Sequence, residues 1–164
     1  MRIGVLSDTH LSEPTEAFAA FFERHLAGAD AIVHCGDIVG PAMLAFLESH
    51  PAVYAVSGNM DSQLGELPPK RRVDFGHGRS LGVVHGHGLP GGNVPQGVAG
   101  AFLSGPGLLC FGHIHARYWA ALGQGRFLLN PGSVTRPRDG QPGAALVQWP
   151  ANQDPVVQWV DAVE

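Results

Sequence analysis

Two short motifs each place a pair of histidines one residue apart: HGH at residues 85–87 and GHIH at residues 112–115. Both follow a short apolar run that is typical of a buried β-strand. Neutral imidazole is the commonest metal ligand in proteins, so the two pairs suggest a metal site. A glycine-rich turn or simple packing explains either pair equally well on its own. These interpretations can be distinguished only by whether other metal-binding residues occur elsewhere in the chain.

Side chains that can bind a metal also follow other predicted strands. The runs over residues 2–6, 31–35 and 52–56 have the apolar, β-branched composition of buried strands, and each runs into a loop. In an open α/β sheet, ligands bind at the carboxyl edge of the strands. One sheet edge is therefore predicted to gather a set of polar side chains, which are Asp8, His10, Asp37, Asn59, His85, His87, His113 and His115.

Each member of this set has an ordinary explanation when it is taken alone. His10 fits a surface loop, while Asp37 and Asn59 each follow a glycine, as ordinary turn residues do. The ordered series of D-x-H, G-D, G-N, H-G-H and G-H-x-H, each after a predicted strand, is far rarer by chance. The series therefore favours one shared site over a collection of unrelated loops.

The predicted elements alternate between strands and helices in the first part of the chain. Helices are predicted over residues 14–27 and 41–49, because apolar residues recur there at helical spacing. This order predicts parallel strands joined by right-handed crossovers. The remaining predicted elements are a hairpin over 72–75 and 80–85, a helix over 94–104, a strand over 108–111, and a second sheet of antiparallel strands around 116–121, 126–129, 143–149 and 155–161.

The composition limits the class of protein. With 164 residues, of which 45% are apolar and 15% charged, the chain is predicted to form a single domain over residues 1–164. A net charge of −4 disfavours nucleic acid as a partner. Two cysteines cannot build a disulfide framework, and neither an export signal nor an apolar run of membrane-spanning length is recognisable. The sequence therefore predicts a cytoplasmic protein with no membrane partner.

The ordered motifs resemble those of the calcineurin-like metallophosphoesterase superfamily. The resemblance covers nearly the whole chain and rests on DTH at residues 8–10, GD at 36–37, GNMD at 58–61, HGH at 85–87 and GHIH at 112–115. NPGSV at 130–134, followed by Pro137 and Arg138, is similar to the small bacterial and archaeal phosphodiesterase subfamily, to which the small retromer subunit is related. The resemblance implies an α/β (α+β) fold, a four-layer αββα sandwich of two mixed β-sheets flanked by helices.

The same resemblance implies a two-metal site at the strand ends. Carried over position by position, the first metal takes Asp8, His10, Asp37 and His115, and the second takes Asp37, Asn59, His85 and His113. Asp37 bridges the two metals in this arrangement, and the family points to Mn²⁺ as the usual ion. Ligation by nitrogen and oxygen without a thiolate is also compatible with Ni²⁺, Fe²⁺ or Zn²⁺, and it disfavours Ca²⁺ and Mg²⁺.

Such a site is suited to the hydrolysis of phosphate esters. Two divalent cations about 3.5–4 Å apart can activate a shared water as hydroxide and bind the oxygens of a phosphate. Because Asp8 and Asp37 are the only charged ligands in the set, the site keeps a positive charge that attracts an anionic phosphoryl group. The predicted function is a metal-dependent phosphodiesterase that hydrolyses a small phosphodiester with a two-metal-activated hydroxide. Its predicted catalytic residues are Asp37, Asn59 and His87.

One position departs from many relatives in the family. These relatives carry a histidine directly after the asparagine, where it protonates the leaving group, whereas this chain has Met60. Met60 cannot donate a proton, although members of the small subfamily also lack the histidine. His87 is the candidate for substrate contact or proton supply, and a purely solvating role stays open. Asp61 is expected to support a turn or a ligand loop, and residues 130–133 are expected to brace the edge of the site.

Other functions fit the sequence less well. The residues after His87 and His115 do not continue as the metallo-β-lactamase motif, and the chain has neither a G-K-[ST] sequence nor a G-x-S-x-G elbow. The retromer subunit shares the predicted fold but has lost ligand residues, so a non-catalytic metal-binding scaffold is the alternative. Every expected ligand type is present in this chain, which favours catalysis. The resemblance leaves a homodimer and a homotetramer open.

Overall fold

The computed structural model describes residues 1–102 and 105–162. Over these residues the chain forms three α-helices and ten β-strands. The helices are α1 (Glu16–His25), α2 (Pro41–Glu48) and α3 (Val94–Ala101). The strands are β1 (Arg2–Leu6), β2 (Ala31–His34), β3 (Val53–Ala55), β4 (Lys70–Asp74), β5 (Ser80–Val84), β6 (Leu108–Phe111), β7 (Arg117–Gly123), β8 (Arg126–Pro131), β9 (Gly143–Gln148) and β10 (Val156–Asp161).

The helices have recognisable start signals. The hydroxyl of Thr15 caps α1 by accepting a hydrogen bond of 3.1 Å from the Phe18 N–H, and α2 begins with a proline, whose missing N–H is not needed there. The helices predicted over 14–27 and 41–49 are confirmed with shorter ends. The helix predicted over 94–104 is observed as α3, and its last two predicted residues lie outside the described residues.

Within the described part of the chain, no helix is long and apolar enough to cross a bilayer.

The first sheet has the strand order β10-β9-β1-β2-β3. β1, β2 and β3 are parallel, as the alternation of strands and helices predicts. Leu6 at the end of β1 pairs with His34 at the end of β2, and His34 pairs with Ala55 in β3. The loops that follow these three strands therefore leave the sheet at the same edge, and they carry Asp8, His10, Asp37 and Asn59.

The second sheet has the order β4-β5-β6-β8-β7. β4 and β5 form the predicted antiparallel hairpin, whose turn contains Gly76 and Gly78 with φ of 71° and 76°. β5 and β6 are parallel, and their last residues, Val84 and Phe111, lie opposite each other. The two histidine motifs follow these two residues, so they also emerge side by side.

The placement of the last two strands differs from the prediction. The sequence predicts one antiparallel second sheet for the strands around 116–121, 126–129, 143–149 and 155–161, but β9 and β10 complete the first sheet, and β8 pairs in parallel with β6. β9 is buried on both faces, so its sequence does not show which of the two covered sheets it joins. Residues 143–147 of β9 are all buried, and a strand of this kind belongs inside a sheet that is covered on both sides. β1 provides that place.

The two sheets pack face to face between helices. Side chains that alternate along β2 separate the layers: Val33 packs in the cluster between the sheets, whereas Ile32 packs in the cluster beneath α1 and α2. On the other side, Val98 of α3 packs against Leu109 and Phe111 of the second sheet. This layering confirms the predicted sandwich of two mixed sheets flanked by helices.

Candidate metal centre

The candidate ligands lie on loops with an unusual backbone. Five of them have positive φ: 51° at Asp8, 48° at His10, 57° at Asp37, 69° at His113 and 55° at His115. Residues other than glycine seldom adopt this region, although aspartate and histidine do so more readily than most. Such conformations occur at functional sites when the surrounding structure holds them in place.

Two carboxylates and three imidazoles come together at the shared edge. His115 Nε2 lies 3.2 Å from Asp8 Oδ1 and 3.2 Å from His10 Nε2. His85 Nε2 lies 3.5 Å from Asp37 Oδ2 and 3.9 Å from Asp8 Oδ1. Asp8, His10 and His115 form one group whose ligand atoms all lie within 4.8 Å of one another, and Asp8, Asp37 and His85 form a second.

The unsatisfied atoms of this cluster test whether a metal fits. Asp8 Oδ1 and His85 Nε2 are both buried, and neither has a hydrogen-bond partner among the described residues. A buried polar atom without a partner is costly, and each such case in a folded protein needs an explanation. A carboxylate oxygen and an imidazole nitrogen are both good ligands for a divalent cation. The donor set of the cluster therefore fits a metal.

Backbone carbonyls fix the orientation of two of the imidazoles. His85 Nδ1 donates to the Cys35 carbonyl at 2.7 Å, and His115 Nδ1 donates to the Arg136 carbonyl at 2.8 Å. With the proton on Nδ1, the lone pair on Nε2 of each ring faces the carboxylates. Metal-binding histidines typically use their second nitrogen in this way.

Asp37 is held in its charged form. Burial raises the pKa of the Asp37 carboxyl. The opposing effects of His85 and of a hydrogen bond of 2.8 Å from the Met60 N–H are larger, so the net pKa is lowered to about 2. Asp37 is therefore a carboxylate at neutral pH, ready to bind a cation.

The histidines differ in their pKa shifts. Burial is the largest influence on each and lowers the pKa, and for His10 and His113 the net shift is downward. For His85, the neighbouring carboxylates of Asp37 and Asp8 outweigh burial, and the net pKa is raised. In the metal-free protein, His85 therefore holds its proton to higher pH than an ordinary histidine.

Three predicted residues surround the cluster without joining either group. Asn59 is exposed in the turn beside Asp37, next to Met60, whose N–H binds that carboxylate. The half-buried ring of His113 lies 5.2 Å from the His85 ring, measured between centroids. The exposed ring of His87 lies 5.4 Å from that of His85. Asp8 belongs to both groups, and bridging by Asp37 stays a prediction.

Asp61 connects two of the ligand loops. Its Oδ2 accepts hydrogen bonds of 2.8 Å from the N–H groups of Asp37 and Gly58, and its Oδ1 accepts one of 2.8 Å from Val39. Asp61 is 4% exposed, so these bonds are shielded from water. The expected supporting role of Asp61 agrees with this geometry.

The segment over residues 130–133 braces the site from the other side. Asn130 Nδ2 donates to the Gly112 carbonyl at 2.8 Å, and Ser133 Oγ donates to the Asp8 carbonyl at 2.7 Å. Ser133 Oγ also accepts from the Arg136 N–H at 2.9 Å, and Ser133 is fully buried. Ser133 therefore supports the loops and does not face a substrate.

The glycine before the second histidine pair is required by a close approach. A Cβ at Gly112 would collide with the Ser7 hydroxyl and lie 2.8 Å from Asp8 Oδ2. The same carboxylate oxygen accepts a hydrogen bond of 3.0 Å from the His113 N–H. Only glycine lets the two loops approach in this way.

His34 belongs to none of the motifs and was not predicted to be part of the site. This histidine ends β2, has no exposed surface, and contacts both Thr9 and Gly36. Its one signal in the sequence is a polar residue at the end of the apolar run AIV, directly before a ligand loop.

A sandwich of two mixed sheets with carboxylates and imidazoles gathered at one edge defines a metal-binding α/β protein. The chain matches the calcineurin-like phosphoesterase superfamily domain over residues 1–151. It therefore belongs to that superfamily, and its relatives support placement in the small phosphodiesterase subfamily.

Known relatives match most of the chain. A probable metallophosphoesterase of Methanothermobacter thermautotrophicus is 34% identical over 153 residues, which cover 90% of this chain and 86% of that protein. The structure of YfcE, a phosphoesterase from E. coli, is 26% identical with a TM-score of 0.66, and the match covers 90% of this chain and 88% of that one. Vps29 from Entamoeba histolytica in complex with Zn²⁺ shares the fold, with 21% identity, a TM-score of 0.75, and coverage of 99% and 100%.

Proposed function

We propose that the protein is a metal-dependent phosphodiesterase that hydrolyses a small phosphodiester with the help of two divalent cations. The observation that carries the proposal is a pair of buried ligand atoms, Asp8 Oδ1 and His85 Nε2, in two ligand groups that share Asp8. Neither atom has a hydrogen-bond partner in the part of the chain that the structure describes. Membership of the phosphoesterase superfamily supports the class of reaction.

The chain offers ligands for two cations. Asp8, His10 and His115 would hold one ion, while Asp37 and His85, together with Asp8, would hold the other. Asn59 and His113 are proposed to complete the second ligand set, and Asp37 is proposed to bridge the two ions. Divalent cations bound there would polarise the phosphate ester and supply an activated water as nucleophile.

Mn²⁺ is the proposed ion. The donors are carboxylate oxygens and imidazole nitrogens, which suit borderline first-row ions. Cys35 and Cys110 are both buried and belong to neither ligand group, so no thiolate shifts the preference toward softer metals. Ni²⁺, Fe²⁺ and Zn²⁺ are the other ions compatible with this donor set.

The charge of the site favours an anionic ester. The two ligand groups contain two carboxylates, Asp8 and Asp37, whereas two cations bring four positive charges. The imidazoles hold the metals without cancelling that charge, so a phosphate group is attracted to the site. The chain carries a formal net charge of −4, which disfavours nucleic acid as a partner and supports a small diester as the substrate.

The exposed rim of the site determines how the leaving group obtains a proton. Met60 is 52% exposed in the turn beside Asp37 and cannot donate one. The exposed His87 is proposed to contact the substrate or to supply the proton. Diesters with good leaving groups, such as aryl esters, are therefore the expected preferred substrates, because such leaving groups depart without being protonated.

The test combines metal content with turnover. The protein is purified without chelator, its metals are counted by mass spectrometry, and hydrolysis of bis-p-nitrophenyl phosphate is measured with added Mn²⁺. Asp8→Asn removes the shared carboxylate and is expected to lose metal and at least about 100-fold in rate. Asp74→Asn is the matched control, because Asp74 is an exposed aspartate on the β4–β5 hairpin.

Two results would contradict the proposal. Turnover that survives Asp8→Asn unchanged would place the reaction elsewhere. Bound metal without turnover on any diester or monoester would instead support the non-catalytic scaffold, which shares this fold.

A further inference from the structure

We propose that His34 is a positioning residue that sets the spacing between the two loops carrying Asp8, His10 and Asp37. The inference rests on the proposed function, because it treats these three residues as metal ligands. His34 itself touches neither metal nor substrate in this proposal.

The ring of His34 lies between the two loops. Its Nδ1 accepts a hydrogen bond of 3.2 Å from the N–H of Gly36, the residue before Asp37. Its Nε2 lies 3.3 Å from the hydroxyl of Thr9, the residue between Asp8 and His10. One rigid ring therefore contacts both loops within one residue of their candidate ligands.

The directions of these hydrogen bonds form one consistent chain. A backbone N–H can only donate, so Nδ1 of His34 accepts and the proton of the neutral ring is on Nε2. Nε2 then donates to the Thr9 hydroxyl, which in turn donates to the Ile38 carbonyl at 3.4 Å. Burial lowers the pKa of His34 to about 3, so the ring stays neutral and this arrangement persists at physiological pH.

The loops run side by side from the ring outward. The N–H of Asp8 donates to the Gly36 carbonyl at 3.0 Å, and the N–H of His10 donates to the Asp37 carbonyl at 3.0 Å. Asp8, His10 and Asp37 all have positive φ, a conformation that the surroundings must hold in place. A change at His34, where the two hydrogen-bonded loops begin, is therefore expected to displace all three candidate ligands.

Three substitutions separate the two contacts of the ring. His34→Asn keeps an acceptor near the Nδ1 position, His34→Gln keeps a donor near the Nε2 position, and His34→Leu removes both. The Kd of Mn²⁺ is measured by calorimetry on each folded variant, and the melting temperature is measured without metal. We expect His34→Leu to raise Kd by about 10- to 100-fold, and each polar variant to raise it by a smaller factor.

His50 provides a matched control. It is also a buried histidine, 8% exposed, and its hydrogen-bond partners among the described residues are backbone groups of Ala29 and Ala52. These residues precede β2 and β3, at the edge of the sheet opposite the ligand loops. His50→Leu should lower the melting temperature and leave the Kd of Mn²⁺ within about twofold of wild type.

The outcomes distinguish the inference from the proposed function. If wild type binds none of Mn²⁺, Ni²⁺, Fe²⁺ and Zn²⁺, the proposed function fails, and the inference fails with it. If wild type binds Mn²⁺ and the His34 variants bind it equally well, only the inference is wrong. The same holds if His34→Leu and His50→Leu weaken binding equally. If His34→Leu does not fold, Thr9→Val is measured instead. This variant removes the hydroxyl that accepts the hydrogen bond from His34 Nε2, and it is expected to raise the Kd of Mn²⁺ by about tenfold.

Discussion

Replacing Asp61 with asparagine measures how strongly the ligand loops depend on one buried carboxylate. Asp61 accepts three backbone hydrogen bonds of 2.8 Å, two through Oδ2 and one through Oδ1. The amide oxygen of the variant can keep the two bonds at the Oδ2 position. Its NH₂ group then faces the Val39 N–H, so that bond is lost and two donors oppose each other.

The free energy of unfolding should fall by about 4 kcal/mol. A hydrogen bond to a charged group contributes about 1.5–3 kcal/mol and a neutral one about 0.5–1.5 kcal/mol. The bond from Val39 is lost outright, and those from Asp37 and Gly58 each weaken by about 1 kcal/mol. Because a domain is stable by only about 5–15 kcal/mol, this loss is large.

The assay is urea unfolding of the metal-free protein. Asp74→Asn serves as the control, because Asp74 also accepts a backbone hydrogen bond, from Gly76 at 2.8 Å, but on the exposed hairpin. We expect that variant to lose less than about 1 kcal/mol. Equal losses in the two variants would refute the view that the two loops depend on the Asp61 carboxylate.

Three further predictions concern protons and packing. Mn²⁺ binding should release a proton, because the pKa of His85 is raised in the metal-free protein. The affinity for Mn²⁺ should therefore fall by about tenfold per pH unit below that pKa. Calorimetry that finds no change in affinity from pH 8 to 5 would contradict this. The lowered pKa of Asp37 stabilises the metal-free fold. This stabilisation is complete above pH 3.8, the ordinary pKa of an aspartate, and is lost as the pH falls toward about 2. In Asp37→Asn, the free energy of unfolding should therefore depend less on pH in this acidic range. Gly112→Ala should abolish Mn²⁺ binding as measured by calorimetry. Gly100→Ala is the control and should leave binding unchanged, because a Cβ there meets no described atom within 4 Å outside its own helix.

The features of the fold that could be predicted from the sequence are those that depend on the order of neighbouring elements along the chain. Parallel β1, β2 and β3 follow from their alternation with helices, and the ligands at their ends follow from the shared edge of a parallel sheet. The partner of β9 was not predictable in this way. β9 pairs with β1, about 140 residues earlier, and a fully buried strand reads the same in either sheet.

The supporting residues were predictable only in part. Asp61 lies within the motif GNMD, so a role near the site was expected, but its three donors come from two different loops. His34 has no motif at all, and its role depends on Thr9, 25 residues away. Contacts of this kind are set by the packing of loops, which local periodicity does not encode.

The left-handed backbone at five candidate ligand positions has a consequence for how a metal ion would be bound. The main chain itself aims these side chains, so their directions are established when the protein folds and not when an ion arrives. An incoming cation meets donors that need little rearrangement, which favours rapid and reversible loading. The same geometry narrows what mutation can explore, since β-branched residues at these positions would disturb the loop before they altered the chemistry.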